Sequence, residues 1–230
     1  DDVCISVRIL VLFCMTRIDQ QAAMFITFEG LDFSGKSTQV RLLAESLTRA
    51  SVKNVVLRDP GGTAIGERIR AVLLDRAVLD MSNFTELFLF SASRSQLVHE
   101  VIKPTLESGT IVLLDRFYDS TTAYQGWGRE LPLDSISAVN RLASHGLVPR
   151  ITYFIDIPVD EVERRMLRQK AGADRMEMSG RAFYERVREG FLTMARTELR
   201  FEVLDGMLGI QEIHKRIWSR FEKEKAQSQA

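Results

Sequence analysis

The stretch MFITFEGLDFSGKSTQVRLLAESL, residues 24–47, joins three unlike pieces: a strand-like apolar run, a glycine-punctuated bend and a helix-periodic run. From Gly30 to Ser37 the bend reads GLDFSGKS and fits the spacing G-x-x-x-x-G-K-[S/T], with the strand before it and the helix after it that the pattern needs. Glycines let successive backbone N–H groups turn inward around a β-phosphate, and the following helix presents its positive end there. Gly30, Leu31, Asp32, Phe33, Ser34, Gly35, Lys36, Ser37 and Thr38 are thus the expected wrap around a nucleoside triphosphate. Lys36 would reach the β- and γ-phosphates, and the Ser37 hydroxyl would ligate Mg²⁺. Asp32 is the odd member, a carboxylate inside a loop meant for phosphates.

Around that bend, short β-branched runs alternate with longer helix-periodic ones, the pattern of a parallel sheet covered by helices on both faces. Strands are expected at 24–29, 54–58, 109–114, 150–156 and 201–205. Helices are expected at 36–49, 63–75, 82–107, 120–127, 134–145, 159–169, 180–199 and 209–224. The fold class is therefore α/β, a doubly wound five-stranded parallel sheet. Ser82, Asp134 and Asp160 stand at N-cap positions. Pro104 kinks or ends the long central helix, and the tail EKEKAQSQA frays. The stretch RQKAGADRMEMSG, 168–180, is polar and charged, and it reads either as a mobile flap or as a plain loop.

At 230 residues the chain makes one sizeable domain, expected over 24–225. Its 31 basic and 31 acidic residues balance, which speaks against a nucleic-acid or membrane surface. Both cysteines, Cys4 and Cys14, precede Met24, so the body carries neither a disulfide framework nor a cysteine metal site, as suits a reducing cytoplasm. The opening DDVCISVRILVLFCMT begins with two acids, carries Arg8 mid-run and is too short to span a bilayer. Residues 1–23 are expected to be a poorly ordered extension, with Met15 or Met24 as a natural start.

The strand 109–114 ends in Asp115, placed as a second carboxylate on the Mg²⁺ side, and Arg116 beside it is the usual fork for a phosphate. On the central helix, at about 100° per residue, Phe84, Leu87, Phe88, Ser91 and Ser95 form one stripe, the natural core face. Phe90 and Arg94 lie on another. Periodicity leaves two readings open there: a ring and a guanidinium that stack and bond a base, or an ordinary core Phe beside a solvated Arg. His99, His145 and His214 sit singly with no metal spacing between them.

From about Met24 to Trp218 the chain resembles the thymidylate kinases, close to the bacterial type. The resemblance is carried by FEGLDFSGKSTQ, LRDPGGTAIGERIRAVLLD, LFLFSASRSQ, LLDRFYDSTTAYQG, YFIDIPVDEVERR and DRME, in that order. It implies the nucleoside-monophosphate-kinase version of the doubly wound fold, with a lid at about 168–180. It also implies transfer of the γ-phosphoryl of ATP to dTMP, with Mg²⁺, by a cytoplasmic homodimer. By the same resemblance Phe90 stacks on thymine and Arg94 bonds its O4 edge. Thr121 and Gln125 contact the base, and Tyr124 lies under the deoxyribose. Arg116 and Arg70 clamp the monophosphate with Arg58 nearby, and Asp32 meets the 3′-hydroxyl or orients the acceptor phosphate. Some family members carry Arg at the position of Phe33; others draw a basic residue from the lid, and here Arg168 is the expected one, with Lys170 also on offer and Arg175, inside the D-R-x-E string, given a structural reading. Asp59, a shorter arm toward the Thr121 region, stands where bacterial relatives carry Glu.

Other functions fit less well. DPGG at 59–62 satisfies a loose D-x-x-G, but no N-K-x-D for reading guanine follows, so a switch GTPase or other nucleotide-dependent switch lacks its base reader. A deoxynucleoside kinase needs a carboxylate base near a 5′-hydroxyl, and Asp59, followed by Pro-Gly-Gly, lacks the neighbouring arginine fork.

Overall fold

The computed structural model describes residues 23–78, 80–168 and 175–229. The expectations for the first 22 residues and for residues 169–174 of the lid, Lys170 among them, lie outside them. Five strands form one sheet: β1 (Phe25–Glu29), β2 (Asn54–Arg58), β3 (Ile111–Asp115), β4 (Ile151–Asp156) and β5 (Phe201–Asp205). Their order is β2-β3-β1-β4-β5 and every pairing is parallel. The expected strands are all present, within two residues of their ends.

Strand β1 alternates its side chains between two cores, as a central strand must. Ile26 and Phe28 pack with α1 (Lys36–Arg49) through Val40, Leu43 and Leu47, together with Ile213, Ile217 and Phe221 of the last helix. Phe25 points the other way, toward Leu97, Val98, Ile102 and Phe117. The remaining helices are α2 (Ala64–Leu74), α3 (Asn83–Leu97), α4 (Lys103–Glu107), α5 (Tyr118–Thr121), α6 (Leu133–Ala143), α7 (Val159–Arg168), α8 (Arg181–Thr197) and α9 (Ile210–Gln229). Wider π-type turns extend α3 over Val98–Ile102 and α5 over Thr122–Gly128.

Several local expectations are corrected. Ser82 does cap α3, accepting from the Thr85 N–H, but Asp134 and Asp160 lie inside the first turns of α6 and α7, where they favour the helix dipole without capping. The helix carrying Pro104 continues to Glu107, because the wide turn ahead of the proline accommodates its ring and its missing N–H. Helix α9 runs to Gln229, into the tail expected to fray. The core face of α3 is also rotated from the expected one. Leu87, Ser91, Arg94 and Leu97 are buried, whereas Phe84 and Phe88 are 48% and 56% exposed. Partners on distant elements satisfy Glu86 and Arg94, so polar groups go in and two rings stay out.

Parallel pairing in register brings three strand ends to one edge. Phe28 lies beside Asp115, and Asp115 beside Arg58. The strand order reverses at β1, between β3 and β4, and ligands of open α/β sheets bind outside the strand ends at such a point.

Candidate active site

Gly30 leaves β1 at φ 137°, and a Cβ there would run into the carbonyl of Ile155. The chain can turn sharply off the sheet only because that atom is absent. Gly35, at φ 97°, sits at the N-cap of α1 and offers no side chain, so the first N–H groups of the helix are left for a ligand. Lys36 is buried, and its Nζ donates to the carbonyls of Gly30 (3.2 Å) and Leu31 (2.7 Å). One of its three N–H bonds stays free for a phosphate oxygen. Burial and the Arg116 guanidinium beside it lower the Lys36 ammonium to about 8, the strain of a cation placed where an anion belongs. Ser34 Oγ is buried in the bend with no partner among the described residues. Ser37 Oγ donates to Asp115 Oδ2 at 2.7 Å.

Arg116 follows β3 in a left-handed conformation, φ 67°. Its Nη1 donates to the Gly30 carbonyl and to Ser120 Oγ, both at 3.0 Å, and its Nη2 donates to Asp32 Oδ1 at 2.5 Å and Tyr124 Oη at 3.2 Å. Glu29, absent from the sequence reading, holds this turn. It takes the Phe117 N–H at 2.7 Å and the Ser120 hydroxyl at 2.6 Å, supplying from β1 the cap that α5 lacks in its own sequence. Burial, and Asp119 nearby, push the Glu29 carboxyl up to about 8. Asp32 Oδ2 accepts from Tyr124 (3.1 Å) and from Tyr184 of α8 (3.0 Å). Burial opposes its charge, but Arg116, Lys36 and the two tyrosines hold its carboxyl below the usual range. The carboxylate in the phosphate loop is thus the brace for Arg116.

Beyond Arg116 opens a cleft of about 100 Å³, partly open to solvent. It is lined by Asp32, Asp59, Arg70, Phe90, Arg94, Arg116, Thr121, Tyr124 and Gln125. Phe90 and Arg94 therefore share one site. Arg94 is almost wholly buried and heavily committed. Its Nε donates to Asp59 Oδ2 (2.6 Å), its Nη1 to Asn140 Oδ1 (3.3 Å) and its Nη2 to Thr121 Oγ1 (2.9 Å). Asp59 reaches the Thr121 region through Arg94, which makes up for its shorter arm. Burial raises its carboxyl against the pull of Arg94, and its Oδ1 has no partner among the described residues. Arg70 donates to the Pro60 carbonyl at 3.0 Å and lines the same cleft.

Three expected residues stand elsewhere. Arg58 is exposed, forks onto Glu67 at 2.9–3.1 Å and lines the groove beside Ser37 and Asp115, not the acceptor cleft. Arg168 is exposed on the last turn of α7. Arg175 is anchored to Glu86 (2.7 Å) and to the Leu73 carbonyl (2.8 Å), away from the phosphate bend. The basic group of α7 that does touch the bend is Arg165, whose Nη1 donates to the Phe33 carbonyl at 2.8 Å.

A family model described as thymidylate kinase matches residues 28–217. The thymidylate kinase of Kosmotoga olearia is 45% identical over 199 residues, covering 86% of this chain and 95% of that protein. That of Chlorobaculum parvum is 45% identical over 205 residues, covering 85% and 94%. The crystal structure of thymidylate kinase from Ehrlichia chaffeensis superposes with a TM-score of 0.71 at 34% identity, covering 87% of this chain and 99% of that one. A nucleotide-binding bend, a separate cleft with a ring and guanidinium groups, and likeness along nearly the whole described length converge on one assignment: the chain belongs to the thymidylate kinase family.

Proposed function

We infer that this chain transfers the γ-phosphoryl group of ATP to dTMP, giving dTDP and ADP. One observation carries the geometry of that reading. The Gly30 carbonyl accepts from both Lys36 Nζ (3.2 Å) and Arg116 Nη1 (3.0 Å), so the donor and acceptor grips abut at a single atom. Two phosphates held by those cations would lie close together, as in-line transfer demands.

The chemistry asks for position and charge more than for proton transfer. The acceptor phosphate is already largely anionic near neutral pH, its second pKa lying at about 6, so no residue need act as a base. The backbone of the bend, residues 30–38, cradles the donor, and Lys36 follows the moving charge. Arg116, braced by Asp32, holds the acceptor phosphate with Arg70. Phe90 stacks on the base, Arg94 with its Asp59–Thr121 frame meets the base edge, Gln125 bonds the base, and Tyr124 lies under the sugar. Arg168, on the last turn of α7, would reach the transferring group, while Arg165 of the same helix ties α7 to the bend. Ser37 and Asp115 are adjacent hard oxygen donors of the kind Mg²⁺ takes together with water and phosphate oxygens. When bound there, the ion would neutralise charge on the β- and γ-oxygens.

A homodimer is supported by apolar surface on two packed helices. Ile65 and Val72 of α2, with Phe84 and Phe88 of α3, are between 46% and 56% exposed, large apolar side chains on two packed helices that a second copy would cover. A cytoplasmic site is supported by the cysteine-free body from Met24 onward. Among the described residues no helix is long and apolar enough to cross a membrane. The deoxynucleoside kinase reading is disfavoured, since Asp59, its candidate base, is buried and bonded to Arg94.

Incubating the protein with ATP, Mg²⁺ and a panel of nucleosides and monophosphates, then identifying the product, tests the assignment. The expected product is dTDP from dTMP, with thymidine left unchanged. Phosphorylation of thymidine, or of no acceptor, would overturn it.

A further inference from the structure

Glu86, on α3 one turn before Phe90, is 1% exposed and does not line the acceptor cleft. Its oxygens are nonetheless fully engaged. Oε1 accepts from Gln125 Nε2 at 2.8 Å and from Arg129 Nε at 3.1 Å, and Oε2 accepts from Arg129 Nη2 at 3.2 Å and Arg175 Nη1 at 2.7 Å. The two arginines are themselves fixed. Arg129 lies over the Phe183 ring at 4.5 Å and bonds Ser179 Oγ at 3.2 Å, and Arg175 bonds the Leu73 carbonyl at 2.8 Å. Burial works against the Glu86 charge, but Arg129 and the other donors hold the carboxyl below its usual range. A carboxylate kept ionised accepts hydrogen bonds and donates none.

That property fixes the neighbouring amide. An amide side chain has one donating and one accepting edge, and against an ionised carboxylate only the donating edge fits. Gln125 lines the acceptor cleft. With its nitrogen turned to Glu86, the edge left for the cleft is the carbonyl oxygen. We propose that Glu86 is a positioning residue for base selection: it locks the Gln125 amide so that its oxygen demands an N–H from the acceptor base. Such a site accepts a 2,4-dioxopyrimidine, whose N3 carries a proton, and rejects a 4-aminopyrimidine, whose N3 is an acceptor. The two arginines serve to keep Glu86 charged, so that the amide has a single setting. This inference rests on the dTMP reading above.

The test uses the full chain and compares KM for dTMP with the inhibition constant of dCMP as a competitor of dTMP, in the wild type, Glu86→Gln, Gln125→Ala and the double variant. A glutamine at 86 can donate as well as accept, so Gln125 gains a second setting. The ratio Ki(dCMP)/KM(dTMP) is expected to fall about tenfold or more, the scale of one lost or mismatched hydrogen bond. KM for ATP should move less than about threefold. In the double variant the ratio should equal that of Gln125→Ala alone, because Glu86 acts through that amide. An unchanged ratio in Glu86→Gln, or losses that multiply in the double variant, would overturn the proposal. Should Glu86→Gln fail to fold by circular dichroism, Glu86→Asp carries the same measurement: it keeps a charge between the arginines but withdraws it from Gln125. A wild type that does not phosphorylate dTMP overturns the function itself; a wild type that does, with selectivity indifferent to residue 86, overturns only this inference.

Discussion

Lys36 and Arg94 are both buried cations in the candidate site, yet they answer to different partners. Lys36 rests on two carbonyls, which are neutral and weakly held against a phosphate. Removing it costs the protein little structure and the reaction a charge at its developing centre. Lys36→Ala is expected to lower turnover by about 10²–10³, the loss seen when one preorganised donor is taken from a transition state, with a near-normal melting curve. Turnover within a few-fold of wild type would count against the phosphate grip. Arg94 instead forms a buried pair with Asp59, their side chains 2% and 1% exposed. Arg94→Ala leaves that carboxylate uncompensated, and breaking such a pair costs about 3–5 kcal/mol. Denaturant melts should show that loss beside a raised KM for dTMP. A variant weakened toward dTMP at full stability would mean that Asp59 finds another partner. The residue types around both sites were legible in sequence. That Arg94 also carries the frame of the cleft was not, because Asp59, Asn140 and Thr121 are brought to it from three other segments.

At the level of elements, the long helix α8 meets the π-type turn at Thr122–Gly128 with almost no spacing, since a Cβ on Gly190 would come within 2.6 Å of the Trp127 ring. Tyr184, on the same helix, donates its hydroxyl to Asp32. Gly190→Ala is expected to overpack the seam, destabilising the fold by about 1–3 kcal/mol and weakening dTMP binding through Tyr184. Thermal melts and a dTMP titration read both effects, and an unshifted melt would show the seam to be looser than drawn. Helix α1 was legible to the residue, because spacing, apolar period and the glycine before it agree. The caps of α6 and α7 and the core face of α3 were misread for one physical reason. Capping and burial depend on which neighbour satisfies a polar group, and local periodicity is blind to Glu86 having arginines waiting for it.

For the molecule as a whole, the exposed pair Phe84–Phe88, with ring centroids 6.4 Å apart, is the centre of the surface expected to join two copies. Phe88→Glu puts a charge there without touching the core. Light scattering on a sizing column should give a dimer mass for the wild type and a monomer mass for the variant. A monomeric wild type would remove the case for association.

The sequence by itself determined the bend and the strand-and-helix alternation, and its resemblance to the thymidylate kinases pointed to most side chains of the acceptor cleft, though not to Leu74, Ser120 or Met176. These follow from spacings within a dozen residues or from motif order along the chain. Only the tertiary structure decided what those side chains do for one another. Glu29 caps a turn 88 residues away and Asp32 takes the hydroxyl of Tyr184 across 152 residues. Glu86 orients Gln125 from another helix. The strand order β2-β3-β1-β4-β5 makes these neighbours. Hydrogen bonds and charges act over a few ångströms of space, and distance along the chain does not reveal which groups the sheet will bring that close.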